Sequence, residues 1–138
     1  PEFIPETDVN ADTLAAVYKR AFFKCDKDSD GDLRVHTDGP KVLVTFNEDN
    51  KLIKFMAIYG LKENEPDDKK LRFLNRMNDT IIFARFSMPE KRHDVLMADY
   101  YLPYEEGLPA FQVVQAMRAF SKIVVGAIRA CDEDDLVE

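Results

Sequence analysis

Cysteine is scarce in this chain: Cys25 and Cys131 are the only two, far apart and outside any CxxC pattern. That usage fits a reducing compartment and predicts two buried thiols rather than a bridge or a nucleophile. Glycine is scarce as well. The five glycines fall at turns or inside the last helical stretch, and neither GxGxxG nor a Walker A string occurs among them. Phosphate-cradling loops of the common nucleotide-binding types are therefore missing, and so are HExxH and GxSxG. No apolar run approaches the roughly 20 residues of a membrane span, and no basic segment followed by a short apolar core marks a signal peptide. A cytoplasmic protein is the expectation.

Histidine is limited to His36 and His93. General acid/base and nucleophilic chemistry needs such a group held beside a partner, and neither histidine has one nearby in sequence. His93, after Lys91 and Arg92, reads as a solvated turn residue. Cys25 precedes an acidic turn, where negative neighbours raise a thiol pKa and blunt its reactivity. No enzyme and no cofactor are expected. Basic charge is also in deficit, with 19 Lys and Arg against 26 Asp and Glu, net charge -7 and pI about 4.9. Nucleic-acid binding needs a concentrated basic surface, so that class is disfavoured. The deficit is local. Glu2, Glu6, Asp8 and Asp12 at one end and Asp132, Glu133, Asp134, Asp135 and Glu138 at the other account for -9, which leaves 17 acids against 19 bases, or +2, for residues 13 to 131.

What the chain does have is 138 residues, 46% of them hydrophobic, with 10 Phe and 5 Tyr. That suffices for one domain with a real core. Residues 1–10 read as a flexible polar lead-in, 11–131 as the domain and 132–138 as an acidic tail. In Ala11 to Phe23, the residues Leu14, Val17, Tyr18, Ala21 and Phe22 form one helical stripe, with Asn10 as its N-cap. From Asp32 the period changes to two: Leu33 and Val35, then Val42, Val44 and Phe46, then Leu52 to Tyr59, with short turns between them. Such turns allow only an antiparallel meander. Pro66-Asp67-Asp68 opens a second helix with an inner stripe of Leu71, Leu74 and Met77, ended by Asn78-Asp79-Thr80. Ile81 to Met88 and His93 to Leu102 read as a hairpin, and Pro109 leads into a final helix reaching Cys131. The order α-β-β-β-α-β-β-α is that of a single α+β domain with an antiparallel sheet and helices packed on it.

The last helix is apolar on most sides from Ala119 to Ala130, wider than one sheet face usually covers. It is either a deeply buried core helix or, in part, a partner or dimer surface built on Phe120, Val124 and Ile128.

One string has the look of a metal site. Asp26-Lys27-Asp28-Ser29-Asp30-Gly31-Asp32-Leu33 matches the start of an EF-hand loop. The bidentate glutamate that closes such a loop is replaced by Thr37, and Gly39-Pro40 blocks the exit helix. The segment 26–32 thus reads as a polar turn in which Asp side chains bond backbone amides and Gly31 takes a positive φ. A ligand- or divalent-metal-sensing role for it is the alternative.

At Leu74-Asn75-Arg76-Met77-Asn78-Asp79-Thr80-Ile81-Ile82-Phe83-Ala84-Arg85-Phe86 the sequence resembles the bacterial YbjN-like family of sensory transduction regulators. The spaced asparagines Asn75 and Asn78 run into an "ARF" strand. Asp99 near the end of the following strand, the Gly107-Leu108 pair before the last helix and Asp30-Gly31-Asp32-Leu33 before the meander continue the match, although Pro109 stands where the family more often has a polar cap. The family is similar in fold to type III secretion chaperones. The resemblance implies a protein-binding, chaperone-like or regulatory role without chemistry, a homodimer, and an unidentified protein client bound through grooves and sheet edges. It carries over no cofactor and no catalytic residue, the asparagines read as a helix cap and a turn residue, and the charge balance and short apolar runs already speak against nucleic acid and membrane as partners.

Overall fold

The alternating segments pair into one antiparallel sheet, and the amphipathic segments cover one of its faces. The computed structural model describes residues 2–138. In chain order the elements are β1 (Phe3–Ile4), α1 (Ala11–Arg20), β2 (Lys24–Lys27), β3 (Leu33–His36), β4 (Lys41–Asn47), β5 (Leu52–Gly60), α2 (Asp67–Thr80), β6 (Arg85–Ser87), β7 (Val95–Pro103), β8 (Leu108–Pro109) and α3 (Ala110–Cys131). The main sheet runs β2-β3-β4-β5-β7-β6, while β1 and β8 form a separate two-stranded ribbon. The expected α+β order is present, with β1, β2 and β8 added. β2 escapes the periodicity argument because Lys-Cys-Asp-Lys is an edge strand with little to bury, and charged edges discourage pairing with foreign strands.

The core follows from the alternation. Val42, Val44, Ile53, Phe55, Ala57, Leu96 and Ala98 are fully buried toward the helices. On α1, Leu14, Val17 and Tyr18 point inward, and the Asn10 carboxamide accepts the Thr13 amide at 2.9 Å as the expected cap. The helix stops at Arg20 instead of continuing through Phe22. On α2 the inner stripe is Phe73, Leu74 and Met77, whereas Leu71 is exposed. Lys70 is buried there because its ammonium donates to the His93 carbonyl. The strand expected from Ile81 is reduced to Arg85–Ser87, since Phe83 turns to φ 80°.

Residues 2–10 and 132–138, expected as a lead-in and a tail, both make contacts with the body of the domain. Ile4 is buried and pairs with Leu108, and Gly107 is required at the turn before it: its φ is 85°, and a Cβ there would lie 2.6 Å from the Ile4 carbonyl oxygen. Leu136 is fully buried, and the Asp132 carboxylate accepts the Leu136 and Val137 amides at 2.7 and 3.0 Å. The acids at the ends bind the body: Glu2 with Arg20, Glu6 with Lys51, Asp12 with Lys27, Glu133 with Arg76 and Asp135 with Lys62.

The wide stripe of α3 is explained by its place between the other helices. It packs on α1 and α2 as well as on β7 and β8. Phe120, its ring 5.9 Å from that of Phe55, and Val124 are fully buried in the protomer's own core, and Ile128 is partly buried. Of the three residues expected at a partner surface, Phe120 and Val124 thus lie in the protomer's own core, and Ile128 alone keeps some exposure. Two flanking helices cover what a single sheet face could not.

Candidate functional site

The acidic turn joins β2 to β3 as a hairpin. Asp28 Oδ1 accepts the amides of Asp30 and Asp32, both at 2.9 Å, and Gly31 takes φ 83°. This is the polar turn read from the sequence. The carboxylates of Asp28, Asp30 and Asp32 lie within 4.8 Å of one another. The chain leaves the turn in a strand, so the exit helix of an EF-hand does not form.

Both histidines have carboxylate partners, which their sequence neighbourhood did not reveal. His36 Nε2 lies 2.9 Å from Asp26, its partner across the β2–β3 pairing being Lys24, and His93 Nδ1 lies 2.7 Å from Asp67 at the start of α2. Asp26 also accepts the Arg34 guanidinium, and hydrogen bonds from His36 and then Arg34 hold its carboxyl below the usual range. Neither pair has a nucleophile attached. The Ser121 hydroxyl donates to the Arg118 carbonyl, the Thr37 hydroxyl donates to the Pro40 carbonyl, and the Cys25 thiol is pushed up chiefly by burial, with Lys19 opposing and Asp26 reinforcing. The direction expected for Cys25 is right, but desolvation is its main cause.

Two surfaces remain. The first is the bare face of the sheet. Strand register aligns Asp26, Arg34, Leu43, Met56, Asp99 and Arg85 in one row across all six strands. Beside the row stand Ile58 and Tyr101, both exposed, with Met97 half-buried. Asp99 is only 3% exposed, because Arg85 lies over it with Nε 2.9 Å from Oδ1 and Nη2 2.8 Å from Oδ2. A fork of this kind satisfies both carboxylate oxygens at once.

The second is a groove of about 780 Å³ where the α1–β2 corner, the β3–β4 turn and α3 meet. Phe22, Phe23, Gly39, Arg118, Lys122 and Arg129 line it, and Asp38 is its one acid. Phe22 is 97% exposed at φ 72°, and the Arg118 guanidinium sits 5.8 Å from the Phe23 ring centre. No local pattern marks the groove, because its residues come from separate segments and Phe22 fits the inner stripe of α1 by spacing.

Residues 10–133 match the YbjN family, described as "Putative bacterial sensory transduction regulator". The chain belongs to the YbjN family. Its structure is similar to the crystal structure of YbjN from E. coli, with TM-score 0.74 and 15% identity over 94% of this chain and 96% of that one. It is also similar to a chain in the structure of the HopA1–SchA chaperone–effector complex, with TM-score 0.55 and 13% identity over 87% and 90%. At such identities the likeness is one of fold. No curated protein matches the chain.

Among the residues that carry the resemblance to the YbjN family, Asn78, Arg85, Phe86 and Asp99 fasten the sheet edge. Asn78 lies inside α2, not at its cap, and faces β6: its Nδ2 donates to the Phe86 carbonyl at 2.8 Å, and its Oδ1 accepts the Phe86 amide at 3.0 Å. The side chain thus does for β6 what a further strand would do. Asp99 anchors Arg85 on the same strand, and Phe83 stacks on Tyr100 with ring centres 3.9 Å apart. Asn75 is exposed.

Proposed function

We propose that this YbjN-family protein is a non-enzymatic protein-binding module, chaperone-like or regulatory, acting as a homodimer in a bacterial cytoplasm. The observation that carries the reading is the bare sheet face, where Leu43, Met56, Ile58, Met97 and Tyr101 form an apolar strip flanked by a fixed ion pair and covered by no helix. Sheet faces and edges of this kind take up polypeptide without any particular side-chain chemistry. The fold shared with a chain of a chaperone–effector complex supports the same reading. The cytoplasmic placement is supported by two free thiols, Cys25 and Cys131, and by α3, which is long and apolar enough to cross a membrane yet carries its buried stripe against the protomer's own sheet and helices.

Affinity capture from a bacterial lysate, run in parallel with the wild type and with Ile58→Glu, tests the function. A protein retained by the wild type and lost from the variant is the expected outcome; equal recovery by both would remove the bare face from the interface. Light scattering tests the dimer, and a mass near 15.9 kDa at micromolar concentration would contradict it.

The cluster of Asp28, Asp30 and Asp32 supports a second reading, a divalent-cation sensor. Asp30 is the residue to change, because its side chain makes no hydrogen bond in the turn while Asp28 holds two amides. A sensor requires calcium to raise the melting temperature of the wild type but not of Asp30→Asn. A flat response in both would eliminate it.

A further inference from the structure

We propose that the groove between the α1–β2 corner, the β3–β4 turn and α3 holds an acidic, extended segment of a partner polypeptide. Charge is the first argument. Of the eight arginines, Arg20, Arg34, Arg72, Arg76, Arg85 and Arg92 are in ion pairs, and the remaining two, Arg118 and Arg129, both line this groove. Lys122 stands between them without an acid partner among the described residues, and against these three cations Asp38 is the only acid that lines the groove among those residues. A protein of net charge -7 thus keeps a local excess of two positive charges along one face of α3, at positions 118, 122 and 129.

Two local features there leave apolar and bare surface open to solvent. Phe22 takes φ 72° as the left-handed residue of a Schellman end to α1, its amide on the Lys19 carbonyl and the Phe23 amide on the Tyr18 carbonyl; glycine or asparagine is the usual choice there, yet this chain places a phenyl ring, almost fully exposed. Gly126 sits inside α3, where glycine weakens a helix, yet a Cβ on it would meet nothing within 4 Å. A bare backbone beside an exposed ring suits the close approach of another chain. The protein's own acid-rich ends are poor occupants, because Glu2, Glu6, Asp12, Glu133 and Asp135 are already paired with other cations. The inference rests on the protein-binding reading but not on the bare face, since the groove lies on the helical side.

The test uses the full chain and fluorescence anisotropy with a labelled peptide of about ten residues in which Glu alternates with Leu and Phe. A peptide with Lys in place of Glu and a single-stranded oligothymidylate serve as comparators. Saturable binding of the Glu peptide is expected, weakening as salt rises from about 0.05 M to about 0.5 M. The double change Arg118→Glu and Arg129→Glu should reduce affinity at least about tenfold. Phe22→Asn and Gly126→Glu should each weaken binding while the melting temperature stays level or rises, which separates loss of the site from loss of the fold. Absence of saturable binding, equal binding of either comparator, or indifference to all these variants would overturn the assignment. If Ile58→Glu alone abolishes peptide binding, the protein-binding reading survives and the groove assignment fails.

Discussion

The two faces of one sheet obey different rules. Toward the helices, Val42, Val44, Phe55, Ala57 and Leu96 are fully buried, and any change in volume is felt by tightly packed neighbours. On the other face, Met56 and Met97 are half-buried and Ile58 and Tyr101 exposed, and the contacts that fix the surface are ionic, between Asp26 and Arg34 and between Asp99 and Arg85. Alternation with a period of two serves both faces from the same strands. The fold needs only the first, which leaves the composition of the second open to selection for a partner.

Substitutions can measure that difference, and the largest effect belongs to the covered face. Phe120→Ala deletes a fully buried ring that meets Phe55 edge-on and should cost about 3–5 kcal/mol in urea unfolding. A loss below about 1 kcal/mol would mean that the layer is not packed as described. Next comes the ionic anchor of the bare face. Arg85→Ala leaves the Asp99 carboxylate buried without its guanidinium, for an expected loss of about 1–3 kcal/mol. Truncating Asp99 and Arg85 together should recover part of that loss, because no unpaired charge then remains. Strict additivity of the two single effects would show that the fork does not act as a unit.

Acid should reveal a smaller contribution. Hydrogen bonds hold Asp26 (from His36 and Arg34), Asp12 (from Lys27) and Asp94 (from Arg92) below the ordinary carboxyl value of 3.8. A carboxyl with a depressed folded-state pKa contributes stability that is complete above the unfolded value and disappears as pH falls through the folded one. The urea midpoint is therefore expected to lose these contributions only below pH 3.8, and Asp26→Asn should flatten part of the fall. Asp12 and Asp26 are exposed and Asp94 is half-buried at the surface, so the effect is modest. An unchanged acid limb in Asp26→Asn would deny the His36–Asp26–Arg34 cluster any role in stability.

The covered face was legible in the sequence because burial imposes periodicity. Val42 and Val44, Ile53 and Phe55, and Leu14, Val17 and Tyr18 announce their elements and their inward direction. Ambiguity arose where burial was set by neighbours distant in sequence. The stripe of α3 looked too wide only because α1 and α2, which close over its flanks, are far away along the chain. Leu71 and Phe73 both fit a helical stripe, and the packing of α2 against α3 and β6 selected Phe73. The acidic turn was readable since Asp28 and Gly31 act within four residues, but Asn78 with Phe86, His93 with Asp67, and Asp132 with Leu136 required the folded backbone. The binding surfaces were the least legible. Their residues satisfy no internal period, and their partners lie outside the chain.

The smallest effect on stability should accompany the largest effect on function. Ile58 on β5 is 60% exposed, directly opposite half-buried Met97 on β7, so replacing it removes little burial and breaks no hydrogen bond. Ile58→Glu should therefore change unfolding free energy by no more than about 0.5 kcal/mol. If the bare face is the working interface, the same charge placed in its apolar strip should abolish capture of the partner, because a carboxylate buried on binding without a cation is costly. Val44→Glu, on the covered face of neighbouring β4, should do the reverse and unfold the protein before binding can be measured. Circular dichroism and partner capture on this pair settle whether the sheet divides its labour by face. Partner capture intact in folded Ile58→Glu would move the interface to the other side of the sheet, where the basic groove along α3 is the surface still open.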